Sequence, residues 1–138
     1  MDRMRNLLFT SLTIALLVTS CAKEEANDLV GTWKLIEAKF YGLEGGTSSV
    51  GTIDYSSFNI TYSFTTNNKL IIDSDQHPDF TSGTFEYEFG YFPLGGSNDA
   101  EILLVKIDGS KWTYNNVGST MILGKSYVDA GDYYFERK

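Results

Sequence analysis

The chain has 138 residues, with 18 acidic against 11 basic side chains and a formal net charge of −7. Asp2, Arg3 and Arg5 fall within the first twenty residues, so the remainder is more acidic still, which argues against nucleic acid or an anionic membrane surface as partner. A single cysteine excludes an internal disulfide, so stability must come from packing, for which nine Phe, nine Tyr and two Trp are available.

Arg3 and Arg5 precede an apolar run from Leu7 to Val18, broken only by Thr10, Ser11 and Thr13. A bilayer-spanning helix needs about 20 apolar residues, so this run reads as the core of a signal peptide over residues 1–20. The segment Val18-Thr19-Ser20-Cys21 resembles the bacterial lipobox. The resemblance implies a diacylglycerol thioether on Cys21, cleavage before it and an acylated amine. Each buried methylene contributes about 0.8 kcal/mol, so a two- or three-chain anchor holds durably where one chain does not. Ala22-Lys23-Glu24-Glu25 resembles the signal that carries Bacteroidota lipoproteins to the outer leaflet of the outer membrane. Residues 21–28 are then the acylated cysteine and a solvated tether, and the implied location is the outer membrane, lipid-anchored and exposed at the cell surface.

Residues 29–138 form one domain-sized segment of short apolar runs separated by turn chemistry. The first predicted strand is Thr32 to Tyr41, followed by a loop over Gly42 to Gly51 that carries Gly45-Gly46. Ile53 to Ser57 reads as a short turn of helix. In Phe58 to Thr65, the residues Phe58, Ile60, Tyr62 and Phe64 share one face, the period of two that a half-buried strand requires. Asn67-Asn68 then reads as a tight hairpin leading into Leu70-Ile71-Ile72, since Asn tolerates positive φ. Thr84 to Phe89 repeats the alternation with Phe85, Tyr87 and Phe89 inward. Ile102 to Ile107 is a strand, Asp108-Gly109 a two-residue hairpin, and Lys111 to Tyr114 the return. Ser119 to Leu123 and Asp132 to Arg137 complete eight strands. Hairpin-length connections predict an all-β, eight-stranded antiparallel up-and-down barrel, because closure removes the exposed edges of an open sheet; a two-sheet sandwich is the alternative.

Gly31-Thr32-Trp33 at the first strand resembles the lipocalin hallmark, and Leu29 to Leu35 is similar to the opening of small lipocalin-like domains of Bacteroidota lipoproteins. The close on Tyr133-Tyr134-Phe135-Glu136-Arg137-Lys138 fits the same group, so the resemblance covers residues 29–138. It implies a tryptophan plugging the barrel base beneath an arginine from the last strand, here Trp33 and Arg137, the sole arginine beyond residue 20. A guanidinium over an indole is worth roughly 0.5–1 kcal/mol exposed and about 2 desolvated. It also implies binding of a small hydrophobic or amphipathic molecule inside the barrel, where Tyr62, Phe64, Phe85, Tyr87 and Phe89 would line the site. A chain with so many inward rings can instead fill its own barrel.

Other chemistry is sparse. Asp73, Asp75, His77 and Asp79 hold oxygen ligands and the sole histidine within seven residues, yet lack the glycine and terminal glutamate of an EF-hand loop and a second nitrogen or sulfur for zinc. They read as an exposed hydrophilic connection with no metal and no cofactor. No nucleophile–histidine–carboxylate spacing stands out, so the sequence predicts no catalytic residues and no enzyme. Of the adjacent Tyr91 and Phe92, one must face outward; Tyr133-Tyr134 pose the same question. The functions in view are ligand binding in the barrel and, as the alternative, a non-catalytic protein-interaction module in an envelope complex.

Overall fold

The computed structural model describes residues 28–41 and 49–138. The predicted signal peptide, Cys21, the tether through residue 27 and the glycine loop over 42–48 lie outside the described residues. Nine antiparallel strands follow one another: β1 Gly31–Tyr41, β2 Ser49–Asp54, β3 Thr61–Phe64, β4 Lys69–Asp73, β5 Gly83–Pro93, β6 Glu101–Ile107, β7 Ser110–Val117, β8 Thr120–Gly124 and β9 Asp132–Arg137. From β3 to β9 each strand pairs with the next, and β1 pairs with both β3 and β9. Eight strands therefore close into an up-and-down barrel, not a sandwich, and β2 is one strand more than expected.

β2 lies against the same edge of β1 that β3 uses. Three steps along β1, from Glu37 to Lys34, match seven on the other side, from Asp54 to Thr61. β2 and β3 thus form one interrupted strand with a four-residue outpouching. Its neck is closed by Tyr55 N–H to Ile36 O (2.8 Å) and Leu35 N–H to Ile60 O (2.9 Å). Two expectations change here. Ile53 and Asp54 end a strand rather than starting a helical turn, and the hydrogen-bonded turn is Tyr55 to Phe58. The strand expected from Phe58 begins only at Thr61, and Phe58 is 45% exposed instead of facing the core. The alternation in Phe58-Asn59-Ile60 was real in sequence, but the neck of the outpouching leaves only Ile60 buried.

β1 carries a second irregularity that sets the inside of the barrel. Leu35 faces Phe135 across β9 while Glu37 faces Tyr134, so Ile36 is an inserted residue. Trp33 and Leu35 point inward before this bulge and Ala38 after it. The phase flip keeps Glu37 and Lys39 outside, where they pair at 2.8 Å. Inward side chains meet in one core: Trp33, Leu35, Tyr62, Phe64, Leu70, Tyr87, Val105, Met121, Leu123 and Phe135 are all buried, and β7 adds the half-buried Trp112 and Tyr114.

The turns follow their residues. Asp108 and Gly109 both take positive φ (49° and 80°), the mirror-image turn that matches strand twist. The Asn67-Asn68 connection is longer than predicted, running from Thr65 to Asn68 with Asn68 at φ 62°. β5 and β6 extend beyond the expected bounds, and their tip bends back outside the barrel. Lys106 Nζ lies 3.6 Å from the Phe92 ring centroid, and Lys111 Nζ donates to the carbonyls of Pro93 (2.5 Å) and Leu94 (3.1 Å). Leu104 is fully buried yet stands outside the main core cluster.

Inserting one residue after Ile36 should abolish cooperative thermal unfolding, because a one-residue slip turns Glu37 and Lys39 inward and a buried unpaired charge costs several kcal/mol. Ile36→Ala, which keeps the bulge, should cost about 1 kcal/mol and retain a single transition.

Candidate functional site

Strand alternation gives the barrel two chemically distinct ends. The base gathers the chain entry at Asp28, the turns 65–68 and 118–119, and the C-terminus. The mouth gathers the β4–β5 connection 74–82, the Asp108-Gly109 turn and the β8–β9 connection 125–131.

At the base, the structure brings Trp33 and Arg137 together. They are register partners across β1 and β9, and the guanidinium carbon lies 4.4 Å from the indole centroid. Trp33 is buried, and its indole N–H donates to Leu29 O at 2.8 Å. Arg137 donates further, from Nη2 to Asp28 O (2.6 Å) and from Nη1 to Val30 O (3.2 Å). Gly31 makes this approach feasible: its φ is +137°, and a Cβ there would sit 2.7 Å from Arg137 Nη1. The Gly-x-Trp spacing thus puts a side-chain-free residue under the guanidinium and an indole beside it. A hollow of about 240 Å³ opens at this end, bordered by Asp28, Leu103, Tyr114, Asn115 and Asn116.

Inside the barrel, four of the five residues expected to line a ligand site lie against other rings. Tyr62 packs on Phe135 (centroids 4.9 Å apart), Phe64 meets Tyr87 edge-on at 5.1 Å, and Phe89 meets Tyr114 at 4.9 Å. Tyr87 also donates its hydroxyl to Thr65 O at 2.6 Å. Phe85 is half-buried and packs on the same core. Burial pushes the Tyr62 phenol above its ordinary value of 10.0, with a smaller contribution from Tyr133.

At the mouth, a second aromatic group caps the core. Tyr55, buried, meets Phe80 at 5.2 Å and His77 at 5.6 Å; Phe58 meets His77 at 4.6 Å. Phe80 continues to Tyr133 (6.0 Å), and Tyr133 to Trp112 (5.4 Å), over which Lys125 Nζ sits at 4.3 Å. His77 is therefore half-buried among rings and not part of an exposed hydrophilic connection as expected. Its Nδ1 accepts the Asp79 N–H at 3.3 Å, and Asp73 Oδ1 accepts the Asp75 N–H at 3.1 Å, so this loop uses its polar atoms to shape its own turns. Among the described residues, no three His, Cys, Asp or Glu side chains converge as a metal set.

Tyr55, Phe80 and Trp112 were not singled out from sequence. Tyr55 and Phe80 lie beyond strand ends, where the period of two no longer assigns a face, whereas Trp112 shares the inward phase of Tyr114 in β7 and could have been found from it. Of the two adjacent pairs, only Tyr133-Tyr134 divides between inside and outside. Phe92 turns outward beneath Lys106 and Tyr91 is 52% exposed. Tyr133 faces the mouth cluster, whereas Tyr134 lies outside, its hydroxyl 3.1 Å from that of Tyr41 and Lys39 over its ring. A groove of about 400 Å³ on the outer wall is lined by two cross-strand ion pairs, Lys69–Glu86 and Lys106–Glu88.

In a Trp112→Phe background, Arg137→Ala should lower stability by about 1–2 kcal/mol through loss of the stacked, carbonyl-bound guanidinium and shift Trp33 emission to the red. Unchanged emission would contradict the pairing. A second prediction concerns pH. The fold favours the neutral Tyr62 phenol, so its contribution is complete below the ordinary value of 10.0 and is lost as pH climbs above it. Tyr62→Phe should therefore move the midpoint of alkaline unfolding upward, followed by far-ultraviolet circular dichroism. Scans of family models, curated proteins and solved structures each find no match to this chain, so the reading of its function rests on the sequence and the geometry above.

Proposed function

We propose that this chain is a lipid-anchored envelope lipoprotein whose lipocalin-like barrel serves as a non-catalytic protein-interaction module. The observation that carries this reading is the state of the interior. Tyr62, Phe64, Tyr87 and Phe89 are in contact with rings of the protein itself, so recognition falls to the outside. The mouth is the better-equipped end for it. Phe58, Tyr127 and Val128 are exposed there, on a platform held by Tyr55, Phe80 and Tyr133. Exposed aromatics over a buried support are the composition of interaction hot spots. The lipobox-like Val18-Thr19-Ser20-Cys21 and the following Lys23-Glu24-Glu25 support an outer-membrane, surface-exposed location.

Binding of a small hydrophobic or amphipathic molecule between Tyr62, Phe64, Phe85, Tyr87 and Phe89 is the second reading. It is favoured by the eight-strand closure, whose interior is the size that admits one small ligand. It requires these rings to part.

A photo-crosslinking residue in place of Phe58 should give one discrete protein adduct in intact cells. Adducts from a crosslinker at Ile71 on the barrel wall but none from position 58 would refute the mouth as the contact surface. Cys21→Ser should leave the barrel folded and move it from the membrane to the soluble fraction; retention in the membrane would overturn the anchor.

A further inference from the structure

We propose that β2 is a docking edge for a second copy of this chain, with two barrels joining strand to strand through Thr52, Ile53 and Asp54. Among the described residues β2 pairs with β1 alone, and Gly51, Thr52, Ile53 and Asp54 are all exposed. One bond fixes the phase of its backbone. Tyr55 N–H donates to Ile36 O at 2.8 Å, which makes Ile36 and Tyr55 a hydrogen-bonded pair, and alternation makes Ala38–Ile53 and Phe40–Gly51 the next two. The N–H and C=O of Thr52 and Asp54 therefore point away from β1, along an open edge.

Sheets blunt such an edge with lysine or proline, and β2, Ser49-Val50-Gly51-Thr52-Ile53-Asp54, has neither. Gly51 adds a second observation. A Cβ there would meet no atom within 4 Å, and its φ is not in the left-handed region, so neither packing nor the bulge beside it at Val50 requires a glycine. A glycine inside a strand that the fold itself does not demand marks a close approach by another segment.

A second copy fits in one register. Two β2 strands, antiparallel about a twofold axis at Ile53, pair Thr52 of each copy with Asp54 of the other, and the bonds so formed use every open N–H and C=O of these residues. Ile53, 45% exposed, meets its own copy in the close, non-hydrogen-bonded pair. Gly51 faces Tyr55 of the second copy and leaves room for that ring against Phe80. Charge selects the same register. Across the seam the outer row reads Lys39, Thr52, then Asp54 and Glu37 of the second copy, so a cation looks across a small side chain at two carboxylates. Centring the axis on Asp54 would set Asp54 against Asp54, and centring it on Thr52 would leave Ile53 over Gly51. One short strand buries less than the roughly 1,200 Å² of a stable complex, so the dimer is reversible. It stands whether or not the mouth has a partner of its own.

The full-length chain in detergent tests this at about 0.15 M salt, where repulsion from the net charge of −7 is screened beyond roughly 8 Å. Under a mild oxidant, Ile53→Cys should form a disulfide-linked dimer about tenfold faster than Thr52→Cys or Asp54→Cys, since only position 53 sets its Cβ opposite its own copy. The unaltered chain controls for Cys21. Equal rates at the three positions, or a faster rate at 52 or 54, overturn the proposal. Thr52→Pro removes an N–H that β1 does not use, so the barrel should keep its circular dichroism and lose the dimer in sedimentation velocity. A dimer that survives this change, or an unaltered chain that stays monomeric at about 1 mM, also overturns it. Should Thr52→Pro unfold the barrel, Ile53→Lys at the exposed position carries the same comparison.

Discussion

The pairing of β1 with β9 is the constraint on which the rest of the molecule depends. Among the described residues β1 is the one strand hydrogen-bonded to three others, with β9 along one edge and β3 then β2 along the other. Without that seam, the sheet would expose an open edge at each end and an aromatic face to water. The seam works only because Ile36 bulges. A strand that alternated strictly from Trp33 to Tyr41 would present Glu37 and Lys39 to the core. The bulge resets the phase, so one strand can bury Trp33 and Leu35 at the base and Ala38 nearer the mouth.

The base shows how one local motif can both close the barrel end and hold the entering chain. Gly31 yields space, Trp33 fills the barrel end and Arg137 covers it, while the two carbonyls that Arg137 binds belong to the chain entering the domain. The last strand therefore secures the first residues of the fold. Lysine could not replace arginine there without loss, because a point-like ammonium cannot stack on an indole and bridge two carbonyls together.

Much of the architecture was legible in the sequence, for identifiable reasons. Phe85, Tyr87 and Phe89 alternate cleanly, and Asp108-Gly109 is a strong turn signal; both stand as expected. The closed barrel followed from strand number and short connections. What escaped was written in geometry and not in pattern. β2, Ser49-Val50-Gly51-Thr52-Ile53-Asp54, contains no aromatic and a glycine, so it passed as loop. The bulge at Ile36 has no residue signature. The outpouching drew Phe58 out of its apparent alternation toward His77, a contact between segments far apart in sequence. The burial of Leu104 did leave a trace: Ile102-Leu103-Leu104-Val105 is an unbroken apolar run, which calls for cover on both faces. For the candidate sites, Trp33 with Arg137 was legible only through the resemblance carried by Gly31-Thr32-Trp33 and the closing strand, whereas the mouth cluster was not, since the loop residues Tyr55, Phe58, His77 and Phe80 complete it.

The central claim is that this barrel is filled by its own side chains and recognises its target from the outside. Native mass spectrometry of the lipidated protein, released gently from its host membrane, tests it most directly. The account predicts a species with the mass of chain plus acyl groups and no further small molecule. A hydrophobic ligand that stays bound in the gas phase, and leaves only as the barrel unfolds, would contradict it.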